Sequence, residues 1–214
     1  SFQNIGISPY FIWASALPPG HPDRTGNSFM SWWWHTEKDL PEYCDPEILR
    51  KDLSLYLLGA FRFLTAPEGN LHRPEKLFES ILERLSLLEG RIQASRTLDA
   101  IREHLLSAAR SFQKRREEGR LSWDLQKQVL RKLNQLYYAE KPSYEQDYAV
   151  PGDYLPGLSE GISLSAMPLR GEHEVLYASR YFQTRKNRLH SLAWELEFLC
   201  SEKASSQATY LQLE

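Results

Sequence analysis

Apolar positions recur every three or four residues along much of the chain, and that spacing predicts five helices. The first opens at Asp45-Pro46-Glu47, where an N-cap is followed by a proline at the first helical position and an acid in the first turn. It runs through Leu49, Leu53, Tyr56, Leu57, Ala60, Phe61 and Leu64 to the Ala66-Pro67-Glu68-Gly69-Asn70 break. Apolar groups cover so much of its circumference that it is expected at the centre of the fold. A second helix starts near Pro74, carries Leu77, Phe78, Ile81, Leu82, Leu85 and Leu88, and stops at Gly90.

The third begins near Arg91, presents Leu98, Ile101, Leu105, Ala109 and Phe112, and is closed by Gly119. The fourth has Ser122 as its N-cap and Leu125, Val129, Leu130, Leu133 and Leu136 in step. The fifth places Val175, Ala178, Phe182, Leu189, Leu192, Ala193, Leu196 and Leu199 in register and ends near Ser201. Short links between the first four favour antiparallel neighbours, so the expected fold is mainly α, a bundle of about five helices.

Two stretches lack that periodicity. Residues 1–44 contain the apolar run Ile7 to Leu17, a turn-rich Pro18-Pro19-Gly20-His21-Pro22, and Ser31-Trp32-Trp33-Trp34. The runs on either side of the turn leave a short β-hairpin open, with an extended cover on the helices as the alternative. Residues 140–172 carry prolines at 142, 151 and 156 and glycines at 152, 157 and 161, and read as a long irregular loop before the last helix. The expected organisation is therefore an aromatic-rich segment, 1–44, packed on a bundle, 45–214, with an irregular insertion at 140–172.

Charge sharpens this picture. The 214 residues have a net charge of −2, which gives no global pull toward nucleic acid. The charge is nevertheless sorted: residues 46–139 are net +5, flanked by net −3 over 1–45 and net −4 over 140–172. The acidic segments are expected to fold over the basic helices, or to be displaced by an acidic partner. Cys44 and Cys200 have no metal-ligand spacing, and two cysteines in a chain of this size point to the reducing cytoplasm. The start, Ser1-Phe2-Gln3-Asn4, has no secretory signal pattern, and its lack of Met points to a processed end or a piece of a longer chain. No membrane anchor is expected: the most apolar stretch, Leu53 to Leu64, contains Arg62 and falls short of the ~20 residues a span requires.

The search for chemistry returns little. The chain has no G-x-x-x-x-G-K-[ST], G-x-G-x-x-G or H-E-x-x-H. No two of its six histidines stand three or four residues apart, the spacing that aligns ligands on one helix face. No catalytic residue, cofactor or metal site is therefore assigned, and an enzyme remains only as a site assembled in space.

What stands out is aromatic density and basic clustering. Nine of the 26 aromatics lie in the first 44 residues, and such clusters either cap a core or anchor an interface. In an extended segment Trp32 and Trp34 face one way and Trp33 the other. Arg115 and Arg116 belong to a basic cluster ending the third helix, and Arg185 and Arg188 to one within the fifth. The bland reading of both is a solvated helix face favoured by the macrodipole. The functional reading is a helical protein–protein interaction module, an adaptor, regulatory or accessory subunit. Its contact residues would be Trp32, Trp33, Trp34, Tyr148, Tyr154, Arg115, Arg116, Arg185 and Arg188. The alternative is a nucleic-acid-binding accessory protein using the basic helix faces.

Overall fold

A computed structural model of the protein describes residues 5–6, 17–25, 31–65, 73–92, 97–147, 154–166, 168 and 171–201. These residues are mainly helical, in keeping with the periodicity. In chain order the helices are α1 (Pro46–Thr65), α2 (Pro74–Glu89), α3 (Asp99–Glu117), α4 (Trp123–Tyr138), α5 (Pro156–Ala166) and α6 (Glu172–Cys200). The chain divides into two compact units, one of Ser1–Pro9 with Glu68–Glu214 and one of Tyr10–Pro67.

The larger unit is a bundle of α2 to α6, and its hub is α6. That helix packs most extensively against α3, then α5, then α4, while α2 lies against α3, α4 and α5. The core follows the predicted spacing. Phe78, Ile81, Leu85 and Leu88 of α2 meet Ile101, Leu105, Ala108 and Phe112 of α3, and Leu133, Leu136, Leu189 and Leu196 close over them. Each such buried side chain stabilises the fold by about 1.5–3 kcal/mol relative to exposure.

Local chemistry sets the ends of the elements. Ser122 Oγ accepts the Leu125 amide at 3.2 Å, the cap expected of α4. Gly119 has φ 66°, the left-handed conformation in which glycine closes a helix without Cβ strain. Its amide donates to the Arg116 carbonyl at 3.1 Å. The start of the chain is held in this unit as well, because Asn134 Nδ2 on α4 donates to the Gly6 carbonyl at 3.2 Å.

Two expectations need correction. The insertion 140–172 is not irregular throughout: it contains α5, which contributes Leu158 and Ile162 to the core, with Leu155 beside it. Its glycines and serines are poor helix formers, so tertiary packing holds it helical. A Cβ on Gly161 would lie 3.1 Å from Phe182 Cα, so the missing side chain lets α5 approach α6 closely. The second correction concerns α1, expected at the centre of the bundle. None of its residues is buried. Dense apolar periodicity shows that a helix wants cover; it does not say what supplies it.

The smaller unit holds α1 behind a short 3-10 turn, Pro41–Tyr43. Asp45 caps α1 as predicted, its Oδ1 accepting the Glu47 amide at 2.8 Å and the Ile48 amide at 3.3 Å. The apolar runs of the suggested hairpin fall largely outside the described residues. What the described residues show is a single antiparallel bridge, Arg24 to Ser31, and no strand.

Candidate functional site

The three tryptophans occupy successive turns rather than an extended strand, and His35 after them has φ 62°. Trp33 stacks on Tyr43 with centroids 4.3 Å apart, and Trp32 meets Trp33 edge-on at 5.7 Å. Trp32 Nε1 donates to Asp23 Oδ1 at 3.3 Å. The cluster is therefore organised, with Trp32 and Trp34 still 48% and 45% exposed. Tyr154 is half-exposed and stacks flat on Tyr137 at 4.5 Å. Tyr148 lies outside the described residues.

The four arginines singled out from the sequence are engaged inside the larger unit. Arg115 is 7% exposed, and its guanidinium donates to the carbonyls of Cys200 and Ser201. Arg116 pairs with Glu75. Arg185 Nη2 donates to Glu140 Oε1 at 2.9 Å, and Arg188 Nη1 donates to the Ala139 carbonyl at 2.9 Å. Arg185 and Arg188 tie the segment after α4 to α6, and the Tyr181 hydroxyl lies within hydrogen-bond reach of both Glu140 and Glu160. Burial, then the bond to Glu160, pushes the Tyr181 hydroxyl well above the ordinary tyrosine range. Lys127 pairs with Asp124 and Lys132 with Glu195. A phosphate backbone would have to compete with these acids.

A candidate acid–base group lies between α3 and α6. His104 Nδ1 is 2.5 Å from Glu197 Oε2, and the His190 ring stands edge-on to His104 at 5.0 Å. Hydrogen bonds from Ser107 and then His104 hold the Glu197 carboxyl below the usual range. Both side chains bond the same carboxylate, so His104 is not set as a base for Ser107, the order that hydroxyl activation needs. Among the described residues no group of three or more His, Cys, Asp or Glu is arranged to hold a metal. A groove of about 450 Å³ between α2 and α3 has Phe78, Leu82 and Ala109 as its floor and Glu75, Glu79, Arg110 and Lys114 on its rims. It is open and carries no convergent set of reactive groups.

The feature that sequence reasoning misplaced is α1. Successive residues of a helix turn by about 100°. On that wheel Leu49, Leu53, Leu57, Ala60, Phe61 and Leu64 fall within roughly a third of the circumference. All six are exposed: Leu57 60%, Phe61 64% and Leu64 86%. The partly covered residues Asp52, Tyr56 and Gly59 lie together directly beside Leu49, at one edge of that arc. Arg50 falls within the same arc, and Ile48, Leu55, Leu58 and Phe63 outside it are exposed as well, so α1 is open over most of its circumference. The same residues were visible in the sequence, but a core stripe and a docking stripe have the same spacing. No known protein family, curated protein or solved structure matches the chain.

Proposed function

We propose that the protein is an interaction module, an adaptor, regulatory or accessory subunit, that holds another protein through α1. The observation that carries this reading is the exposed stripe of Leu49, Leu53, Leu57, Ala60, Phe61 and Leu64. Leaving such a stripe in water forfeits about 25 cal/mol per Å² of apolar surface, which a partner's apolar groove recovers. Leu57, Ala60, Phe61 and Leu64 stand at i, i+3, i+4 and i+7, the pattern by which a helix is read in a groove. The exposed Trp32 and Trp34 of the same unit are of the residue type enriched in such contacts. No helix among the described residues is long and apolar enough to cross a membrane. A reducing cytoplasm suits the two free thiols, Cys44 and Cys200.

The test is a photo-crosslinking amino acid placed at Leu57, with the fully exposed Tyr144 as the control position. A discrete protein adduct from Leu57 but not Tyr144, lost in the Leu53→Ala/Leu64→Ala chain, supports the reading. Identical adduct patterns from the two positions would overturn it.

A further inference from the structure

We propose that the groove between α2 and α3 is a second docking site, independent of α1. Its occupant is an amphipathic helix of another protein, whose apolar ridge is edged by basic side chains toward α2 and acidic ones toward α3.

The groove has a cause in the sequence. α2 and α3 run antiparallel and are pinned together twice, by Glu75 with Arg116 and by Glu89 with Arg102. In the register those pairs set, Leu82 stands opposite Ala109. Alanine brings only a methyl group to that point, so the seam opens into a hollow of about 450 Å³ over Phe78, Leu82 and Ala109. Phe78 is buried beneath it, whereas Leu82 and Ala109 keep part of their surface in water.

The rims state the chemistry of what fits. Their charges are sorted by helix, with Glu75 and Glu79 on α2 and Arg110 and Lys114 on α3. Glu117, at the end of the α3 rim, accepts Gln113 Nε2 at 2.8 Å. Among the described residues the side chains of Glu79 and Arg110 make no ion pair and no hydrogen bond. Elsewhere in this unit charges are matched between elements, as in Lys132 with Glu195 and Arg185 with Glu140. The hollow therefore holds two unmatched, opposite charges on either side of one apolar floor. A row of base, apolar group and acid satisfies both. A nucleic acid or an anionic lipid surface would meet Glu75 and Glu79, and like charges brought together disfavour either.

The walls select a helix over a strand. Backbone amides and carbonyls along α2 and α3 are bonded within those helices, so an extended segment laid between them finds no ladder partner. A helix satisfies its own backbone and offers side chains at i, i+3, i+4 and i+7. The α2 wall runs from Glu75 to Leu82, ~12 Å at 1.5 Å per residue, which matches two turns of such a ridge.

The experiment is a fluorescence-polarisation titration of the full chain into a labelled peptide of about 18 residues, long enough to hold a helix in water. The peptide carries a leucine ridge with a lysine row on one edge and a glutamate row on the other. Saturable binding is expected, and a scrambled peptide of the same composition should not compete. Ala109→Leu fills the hollow with another strong helix former and should weaken binding tenfold or more. Glu79→Lys makes both rims basic and should turn the preference toward a second peptide with glutamate on both edges. Leu53→Ala/Leu64→Ala, in α1, should leave the affinity unchanged, which separates this site from the α1 contact. Far-UV circular dichroism checks each fold; if Ala109→Leu loses helix, the exposed Glu79→Lys exchange decides alone. No saturable binding, equal affinity for a folded Ala109→Leu chain, equal competition by the scrambled peptide, or an edge preference that Glu79→Lys leaves unmoved overturns the proposal.

Discussion

Arg115 of α3 closes the end of α6: its Nε donates to the Cys200 carbonyl at 2.9 Å and its Nη2 to the Ser201 carbonyl at 2.5 Å. The last carbonyls of a helix have no partner within it, and here a residue 85 positions earlier in the chain supplies two donors. Arg115→Met keeps the apolar stem but removes both donors. It should lower unfolding free energy by about 2–3 kcal/mol, the cost of stranding such groups. Urea unfolding checks this; a loss under about 0.5 kcal/mol would mean that water replaces the guanidinium without penalty.

The Glu197 carboxyl is held below the usual glutamate range, chiefly by the hydrogen bond from Ser107 and then by that from His104. A depressed native value means that the folded state prefers the ionised form. Its contribution is therefore complete above the unfolded value and is lost as pH falls through the native one. The stability difference between the unaltered chain and Glu197→Gln should be steady down to about pH 5 and shrink as acidification proceeds below it. A gap that widens on acidification would contradict the assignment.

Glu140 sits almost buried under Arg185, and its Oε1 also accepts the Tyr181 hydroxyl at 2.9 Å. Removing one member of a buried ion pair leaves the other charge uncompensated, so Glu140→Ala should cost about 3–5 kcal/mol. Glu140→Ala combined with Arg185→Met should recover at least half of that loss, since no orphaned charge then remains. Thermal unfolding of the two single variants and the double variant makes the cycle; strictly additive losses would show that the pair is not coupled.

Two glycines should respond in opposite directions to the same change. Gly161→Ala pushes a Cβ to 3.1 Å from Phe182 Cα and 3.2 Å from its ring, and overpacking of that kind should destabilise by about 1–3 kcal/mol. Gly90 has right-handed helical angles, and its nearest neighbour to a new Cβ is the Leu87 carbonyl at 3.6 Å. Gly90→Ala should therefore be neutral or stabilise by up to ~1 kcal/mol, because alanine restricts the unfolded chain. Calorimetric melting temperatures of the two variants check the contrast.

How much of this was legible in the sequence depended on whether a residue's role is local. The caps Asp45 and Ser122 and the stripe Phe78, Ile81, Leu85, Leu88 were readable because they depend on spacing within one helix. α5 was not, since Gly157, Ser159 and Gly161 disfavour a helix by themselves and only the approach of α6 holds them in one. α3 starts at Asp99 rather than near Arg91, although its apolar register was read correctly. The arginines show the limit most clearly. In sequence Arg115 and Arg185 are indistinguishable from surface cations; in the fold they bond carbonyls and a carboxylate brought from 85 and 45 residues away. For α1 the residues of the stripe were right and their destination was not.

The position of α6 in the chain bears on how the protein is made. α3, α4 and α5 all lean on it, yet among the described helices it is the last to leave the ribosome. Synthesis delivers about 5–20 residues per second, so the 29 residues of α6 follow only seconds after the helices they must join. Until they arrive, α3 holds Ile101, Leu105 and Phe112 with only α2 beside it. A nascent chain stalled before residue 172 therefore carries a wet apolar seam, the kind of surface that chaperones grip, and the bundle closes as a single late event when its final strut is released.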